Sequence, residues 1–155
     1  MGAESDQDIL KVVVCNRYGT GACGVGLVQG LKFKNGAIAS SIAHDAHNLI
    51  AVGTSDEEIL QAIDAVIQMS GGMAAISGEL KARLPLDCGG LMSTLPYRDV
   101  ASRLEKLHEV TQTMCGIADP FMYLSFLSLT VIPSLRITER GLFDVTEFKD
   151  VPLIF

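Results

Sequence analysis

Residues 49–84 read LIAVGTSDEEILQAIDAVIQMSGGMAAISGELKARL, and this stretch decides the fold class. Ser55 and Glu58 form a capping box at the start of a helix, and Gly71-Gly72 is a signal that ends it. Three short apolar stretches around this helix predict strands: Leu49–Thr54, Met73–Ser77 and Glu79–Leu84. A predicted hairpin directly after a helix indicates an α+β protein rather than one built from regular βαβ units.

Further strands are predicted before this stretch. Ile9–Cys15 is short, β-branched and apolar, which is typical of a buried strand. Val25–Lys34 and Ala37–Ile42 flank Asn35-Gly36. Because Asn-Gly is a strong signal for a two-residue turn, these two segments predict a hairpin.

Two more helices are predicted in the second half of the chain. Apolar residues at helical spacing predict the first, over Arg98–Met114. Asp119-Pro120 has the form of an N-cap followed by proline at the first helical position, and it predicts a short buried helix over Phe121–Leu129. Arg136–Val145 and Val151–Phe155 are expected to add extended segments.

The composition fits one domain with a real core. The chain has 155 residues, a formal net charge of −6, 48% hydrophobic residues and 19% charged residues. We therefore predict a single α+β domain over residues 9–155, with mostly antiparallel strands and hairpins packed against about three helices, after a polar tail at residues 1–8. Nucleic-acid binding is not expected, because the sequence has no basic run that could contact phosphates.

No targeting or membrane segment is predicted. The acidic start of the chain has neither the basic nor the apolar region of a signal peptide. The uncharged stretch Pro120–Leu135 has 16 residues and contains Pro133, whereas a membrane-spanning helix needs about 20 apolar residues. We expect a soluble, cytoplasmic protein without membrane contact.

The cysteines are expected to be buried free thiols. None of them forms a C-x-x-C pair, and a cytoplasmic setting disfavours disulfides. A catalytic thiol is the weaker alternative, because no activating neighbour is evident in the sequence. The four residues are Cys15, Cys23, Cys88 and Cys115.

The segment Gly19–Gly24 matches the G-x-G-x-x-G pattern of dinucleotide-binding sites. Such a site also needs a helix that begins at the glycines, since the helix N-terminus binds the pyrophosphate. The residues from Val25 onward instead have the pattern of a strand. We therefore interpret the glycines as a turn that allows close backbone approach.

The segment His44-Asp45-Ala46-His47-Asn48 is the densest polar cluster of the chain, and it lies between two apolar stretches. Histidine and aspartate together can bind a transition metal or transfer protons. His44 and His47 are therefore candidate metal ligands, although the cluster has too few ligands for a closed zinc site. The alternative is a loop whose polar side chains satisfy turn backbone. His108 is interpreted as a solvated or hydrogen-bonded helix residue.

A series of sequence blocks from about Lys11 to Phe155 surrounds this cluster. They include Asn16-Arg17-Tyr18-Gly19, Gly36–Ser41, Ala43–Asn48, Val52-Gly53-Thr54, Leu84-Pro85-Leu86, Gly90–Ser93, Asp119–Met122, Leu124–Leu127, Val131-Ile132-Pro133 and Val151-Pro152-Leu153. In this order, the blocks resemble the C-terminal domain of the bacterial and archaeal adenine deaminases.

The resemblance implies that this chain corresponds to one domain of a larger adenine deaminase of the amidohydrolase superfamily. Such an enzyme hydrolyses adenine to hypoxanthine and ammonia in purine salvage. In that family an N-terminal metal-dependent (β/α) barrel carries H-x-H ligands, where manganese, iron or zinc is expected. This chain has no H-x-H sequence, and 155 residues cannot hold a barrel of about 250. We expect an excised domain or a stand-alone homologue, without a cofactor of its own and without adenine deaminase activity when alone.

The resemblance also suggests a role for the polar cluster. We expect His44, Asp45, His47 and Asn48 to face the mouth of the barrel, where they bind purine, transfer a proton or order a lid. A buried hydrogen-bond network is the structural alternative. The expected partner is the catalytic barrel, and homo-oligomers are also expected. Two other classes stay open: a stand-alone binding module for purines or other small molecules, and an independent metal hydrolase.

Overall fold

Nine strands and three helices are formed by residues 8–153, the part of the chain that the computed structural model describes. The strands are β1 (Ile9–Cys15), β2 (Cys23–Gln29), β3 (Ala37–Ser40), β4 (Leu49–Gly53), β5 (Gly72–Ser77), β6 (Leu80–Pro85), β7 (Leu135–Thr138), β8 (Gly141–Asp144) and β9 (Lys149–Val151). The helices are α1 (Asp56–Gln68), α2 (Tyr97–Met114) and α3 (Pro120–Phe126). The predicted α+β class with three helices is confirmed.

The strands form two antiparallel sheets. The larger sheet has six strands in the order β2-β1-β4-β3-β5-β6, and the smaller has the order β7-β8-β9. Helix α1 packs on one face of the larger sheet, against small side chains such as Ala39, Ala51 and Ala74. Helices α2 and α3 pack on the other face, where Ile38 and Val52 contribute larger side chains to the core. The two central strands, β3 and β4, are therefore buried on both faces.

Helix α1 begins as the sequence predicts. The backbone N–H of Glu58 donates to Ser55 Oγ at 3.3 Å, and Ser55 Oγ donates to Glu58 Oε2 at 3.0 Å. The same carboxylate accepts from the backbone N–H of Gly36 at 3.1 Å, which ties the start of β3 to the helix. The capping box thus starts the helix and also links it to the sheet.

The hairpin predicted around Asn35-Gly36 is wrong. Strand β2 pairs with β1, whereas β3 lies between β4 and β5. All four residues of β3 are buried, so this strand needs a hydrogen-bonded neighbour on each side. Gly36 adopts a left-handed conformation with φ of +88° at the entry to β3, and Lys34 N donates to Met114 O of α2 at 2.8 Å. The Asn-Gly turn therefore leads into a central strand.

The expectation of buried free thiols is wrong for three of the four cysteines. The β1–β2 register sets Cys15 directly opposite Cys23, with their Cα atoms 4.2 Å apart, and the two form a disulfide. That pairing depends on strand register, which the spacing of the cysteines does not reveal. Cys88 is free but exposed rather than buried, whereas Cys115 is free and buried as expected.

The C-terminal part differs in detail from the sequence prediction. Helix α3 has the predicted cap, since Met122 N donates to Asp119 Oδ1 at 3.2 Å, but it ends at Phe126. It is also not fully buried, because Met122, Tyr123 and Phe126 are exposed. The extended segment predicted at 136–145 is the β7–β8 hairpin. Residues 1–7 of the predicted tail and residues 154–155 of the last segment lie outside the described residues.

The glycines of β2 allow the two sheets to pack together. No helix begins after the glycine segment, because residues 23–29 form β2. A Cβ atom at Gly24 would lie within contact distance of Thr138 O and 2.6 Å from Gly141 N in the small sheet. A Cβ atom at Gly26 would lie 3.1 Å from Ile137 Cδ1. Gly24, the last glycine of the dinucleotide pattern, and Gly26, which follows the pattern, therefore allow the two sheets to pack closely.

None of the helices within residues 8–153 is long and apolar enough to cross a membrane.

Candidate functional site

The polar cluster forms the loop between β3 and β4, and α3 holds it from one side. His44 N donates to Ser125 O at 2.9 Å, and Ser128 Oγ donates to His44 O at 3.2 Å. Within the loop, His47 N donates to Ala43 O at 2.6 Å. These bonds fix the backbone of the loop from its own turn and from the end of α3.

The loop between β1 and β2 holds the cluster from the other side. Arg17 Nε donates to His47 O, and Arg17 Nη2 donates to Gly89 O at 2.7 Å. Tyr18 donates its hydroxyl to Ala46 O at 2.7 Å. Arg17 and Tyr18 were not predicted to be site residues. Their polar character directly after a buried strand was the available signal.

The two histidines of the cluster lie together. Their rings are 5.4 Å apart in an edge-on arrangement, and the His44 ring is 5.1 Å from the ring of Phe126. Burial lowers the pKa of His47, and the charges of His44 and Arg17 lower it further, against an opposing effect of Asp45. His47 is therefore neutral at pH 7. Its Nδ1 atom is buried and has no hydrogen-bond partner.

Asp45 and Asn48 line a cavity of about 490 Å³ on the side of the small sheet. Asp45 is exposed, whereas Asn48 is only 4% exposed. Asn48 Nδ2 donates to Glu139 Oε2 at 3.0 Å, and Asn48 Oδ1 has no partner. Glu139 lies in the β7–β8 turn and was missed by the sequence analysis, because it is far from the cluster along the chain.

His44 lines a different groove, of about 380 Å³, between α2, α3 and the end of the larger sheet. His108 and Asp119 line the same groove, so His108 lies next to the candidate loop rather than on a free helix face. The four predicted site residues therefore share one loop but do not line one cavity. Asp45 and Asn48 line the first cavity, and His44 lines the second.

The two candidate metal ligands of the loop, His44 and His47, have no third ligand close to them within residues 8–153. Within residues 8–153, no three histidine, cysteine, aspartate or glutamate side chains lie close enough to hold one. His44 and His47 would need further protein ligands, since structural and catalytic zinc sites use at least three. The chemistry that the loop can perform is hydrogen bonding and proton transfer by a neutral imidazole next to a carboxylate.

Comparisons with known proteins agree with the resemblance found in the sequence. A family model described as the adenine deaminase C-terminal domain matches residues 1–149. The adenine deaminase of Methanoregula boonei is 60% identical over 147 residues, which cover 95% of this chain and 26% of that protein. The adenine deaminase of Lactiplantibacillus plantarum is 48% identical over 156 residues, covering 97% of this chain and 28% of that protein.

A third relative, the adenine deaminase of Methanoculleus marisnigri, is 54% identical and is covered over 29% of its length. This chain therefore spans between a quarter and a third of the length of these curated relatives. The match nevertheless extends along nearly the whole of this chain, so the chain belongs to the family of adenine deaminase C-terminal domains.

Proposed function

We propose that this chain acts as the C-terminal domain of an adenine deaminase and docks on a metal-dependent catalytic barrel. The reaction is the hydrolysis of adenine to hypoxanthine and ammonia, as part of purine salvage in the cytoplasm. The observation that supports this function is the family match over residues 1–149, together with relatives of that name that share nearly all of this chain. The barrel holds the divalent metal, which is manganese, iron or zinc, and the assembled enzyme is oligomeric.

We further propose that the loop of residues 44–48 contacts the catalytic barrel at its active site. Hydrolysis of adenine adds water and releases ammonia, so a proton must reach the departing nitrogen. His47 suits this transfer, because its neutral imidazole can accept a proton from the attacking water and then pass it to the departing nitrogen. Asp45 is close enough to influence the pKa of His47 and can stabilise the imidazolium once it forms. Arg17 and Tyr18 hold the loop in position through its carbonyl groups.

A chimera tests the domain assignment. In the Methanoregula boonei enzyme, the matching region is replaced by this chain, and conversion of adenine to hypoxanthine is followed by chromatography. We expect turnover from the chimera, and none from this chain alone or from the relative truncated before the matching region. Turnover by the isolated chain, or full activity of the truncated relative, would contradict the assignment.

Variants of the chimera test the role of the loop. If His47 transfers a proton, His47→Gln should lower kcat about 10²-fold or more, with a smaller change in KM. Glu105→Gln, on the exposed face of α2, is the matched control and should leave both constants unchanged. A kcat within about three-fold of the parent chimera would leave His47 with a structural role only, since general acid–base catalysis contributes far more.

A further inference from the structure

We propose that the cavity lined by Asp45, Asn48 and Glu139 binds an organic cation with planar N–H donors, namely a guanidinium or amidinium group. The cavity has a volume of about 490 Å³ and lies between the candidate loop and the small sheet. This volume is within the range of about 300–1,000 Å³ that is usual for small-molecule sites. The proposal does not depend on the deaminase assignment.

The charges around the cavity favour a cation. Asp45 and Glu139 are both at its wall, and neither has an ion-pair partner within residues 8–153. Arg140 also lines the cavity, but its guanidinium pairs with Asp150 through two bonds of 3.0 and 3.1 Å. Arg140 also interacts with Glu139, but even when its charge is counted, the two carboxylates leave the cavity wall with a net negative charge.

The hydrogen-bonding groups favour a guest that donates. Asn48 is only 4% exposed, and its amide NH₂ is already bonded to Glu139 Oε2 at 3.0 Å. Its Oδ1 atom has no partner, and an unpaired buried acceptor costs about 1–3 kcal/mol. Together with the two carboxylates, this amide oxygen presents only acceptors. A guest with several N–H groups in one plane can satisfy more than one of them at once.

The remaining wall distinguishes an organic cation from a metal ion. Phe143 and Phe148 line the cavity and contact each other edge to face, with ring centroids 5.3 Å apart. Aromatic rings attract a flat organic cation but provide no metal ligand. Val14 adds further apolar surface. No set of three metal-ligating side chains occurs in the described part of the chain, which also argues against a metal ion.

The same chemistry can come from two sources, a free small molecule or an arginine side chain of a protein partner. Both present a guanidinium group on a flexible aliphatic chain. We therefore use butylguanidinium as the probe, and butylurea as the neutral control of the same shape. The measurement is a titration of the isotopically labelled chain followed by its backbone amide NMR signals, which locates the contacts as well as the affinity.

We expect saturable shifts of the amide signals of residues 45–48 and 138–141 with butylguanidinium, and about ten-fold weaker binding of butylurea. Glu139→Gln should raise the Kd for butylguanidinium about ten-fold, since it removes a charge-assisted hydrogen bond. Asp45→Asn changes an exposed side chain, so it tests the site even if Glu139→Gln unfolds the hairpin. Glu105→Gln is the control that should leave the Kd unchanged.

Equal binding of the two probes, no saturable binding, or tight binding of adenine at the same amides would overturn the proposal. The last result would instead support a purine-binding module. In the chimera, loss of butylguanidinium binding indicates that the catalytic part covers the cavity, as an arginine of that part would, whereas retained binding indicates a site for free small molecules. Because this titration uses the isolated chain, its outcome is separate from whether the chimera deaminates adenine.

Discussion

Replacing Gly24 by alanine should separate the two sheets. Gly24 lies on edge strand β2 where the β7–β8 hairpin crosses it, and its backbone conformation is one that alanine adopts without strain. The added Cβ atom would overlap Thr138 O and lie 2.6 Å from Gly141 N. Both are backbone atoms, so no side-chain rotation relieves the overlap. The hairpin must shift as a unit or detach.

Gly24→Ala should lower the free energy of unfolding more than the same substitution at the neighbouring Gly26. Overpacking of a well-packed interior costs about 1–3 kcal/mol, and contact with rigid backbone places Gly24→Ala at about 3 kcal/mol. Gly26→Ala is the matched control, because its Cβ atom would meet only side-chain atoms, the nearest of which is Ile137 Cδ1 at 3.1 Å. We expect Gly26→Ala to lower the free energy of unfolding by about 1 kcal/mol or less, because the lower entropy of the unfolded chain offsets part of the loss.

Urea and thermal unfolding followed by circular dichroism measure the difference. For a chain of this size, about 3 kcal/mol corresponds to a decrease in Tm of about 6–12 °C. Gly24→Ala should also weaken butylguanidinium binding, because the hairpin that it displaces carries Glu139. A free energy of unfolding within about 0.5 kcal/mol of the parent chain, or a larger loss for Gly26→Ala, would refute this account of the sheet interface.

Three further measurements test other parts of the structure. Ser55→Ala should lower the free energy of unfolding by about 1 kcal/mol through loss of the N-cap, whereas Ser102→Ala on the exposed face of α2 should not lower it. His47 should titrate below the ordinary histidine pKa of about 6.5, seen in its imidazole NMR signals. Since the unfolded chain then takes up this proton first, stability should fall as the pH drops below about 6.5, and His47→Gln should remove that part of the dependence. Reduction of the Cys15–Cys23 disulfide should cost about 2–3 kcal/mol for a separation of eight residues, and a thiol assay of the denatured, unreduced chain should find two of the four cysteines unreactive.

Local signals were enough to predict the helices. The Ser55 capping box and the Asp119-Pro120 start both appear in the structure with the expected hydrogen bonds. Each signal involves residues within three or four positions of one another, so it acts before any tertiary contact. The predicted end of α3 was less accurate, because nothing in the uncharged segment after Phe126 marks the last turn.

Strand pairing could not be predicted in the same way. The Asn35-Gly36 turn favours a hairpin locally, but burial of β3 on both faces requires the neighbours β4 and β5 instead. The disulfide depends on the same non-local information, since only the β1–β2 register reveals that Cys15 faces Cys23. In both cases the tertiary arrangement overrides the alternative that the local sequence favours.

The candidate loop was found, but its surroundings were not. The density of polar residues at 44–48 identified the segment, and in the structure these residues form one loop. Glu139 reaches Asn48 only because the small sheet folds back over β2. Arg17 reaches the carbonyl of His47 because β1 and β4 are neighbours. Such contacts arise from topology, so no spacing rule along the chain could have found them.

The strand order also sets the sequence of events during synthesis. Residues 9–29 can form the β1–β2 hairpin alone, but β1 acquires its second neighbour only when Gly53 can pair with Lys11. Proteins dominated by such distant pairings fold slowly, in milliseconds to seconds. The glycine-bearing face of β2 is covered only after residues 135–144 have left the ribosome. Until then this face is exposed, and association with another nascent chain would begin there.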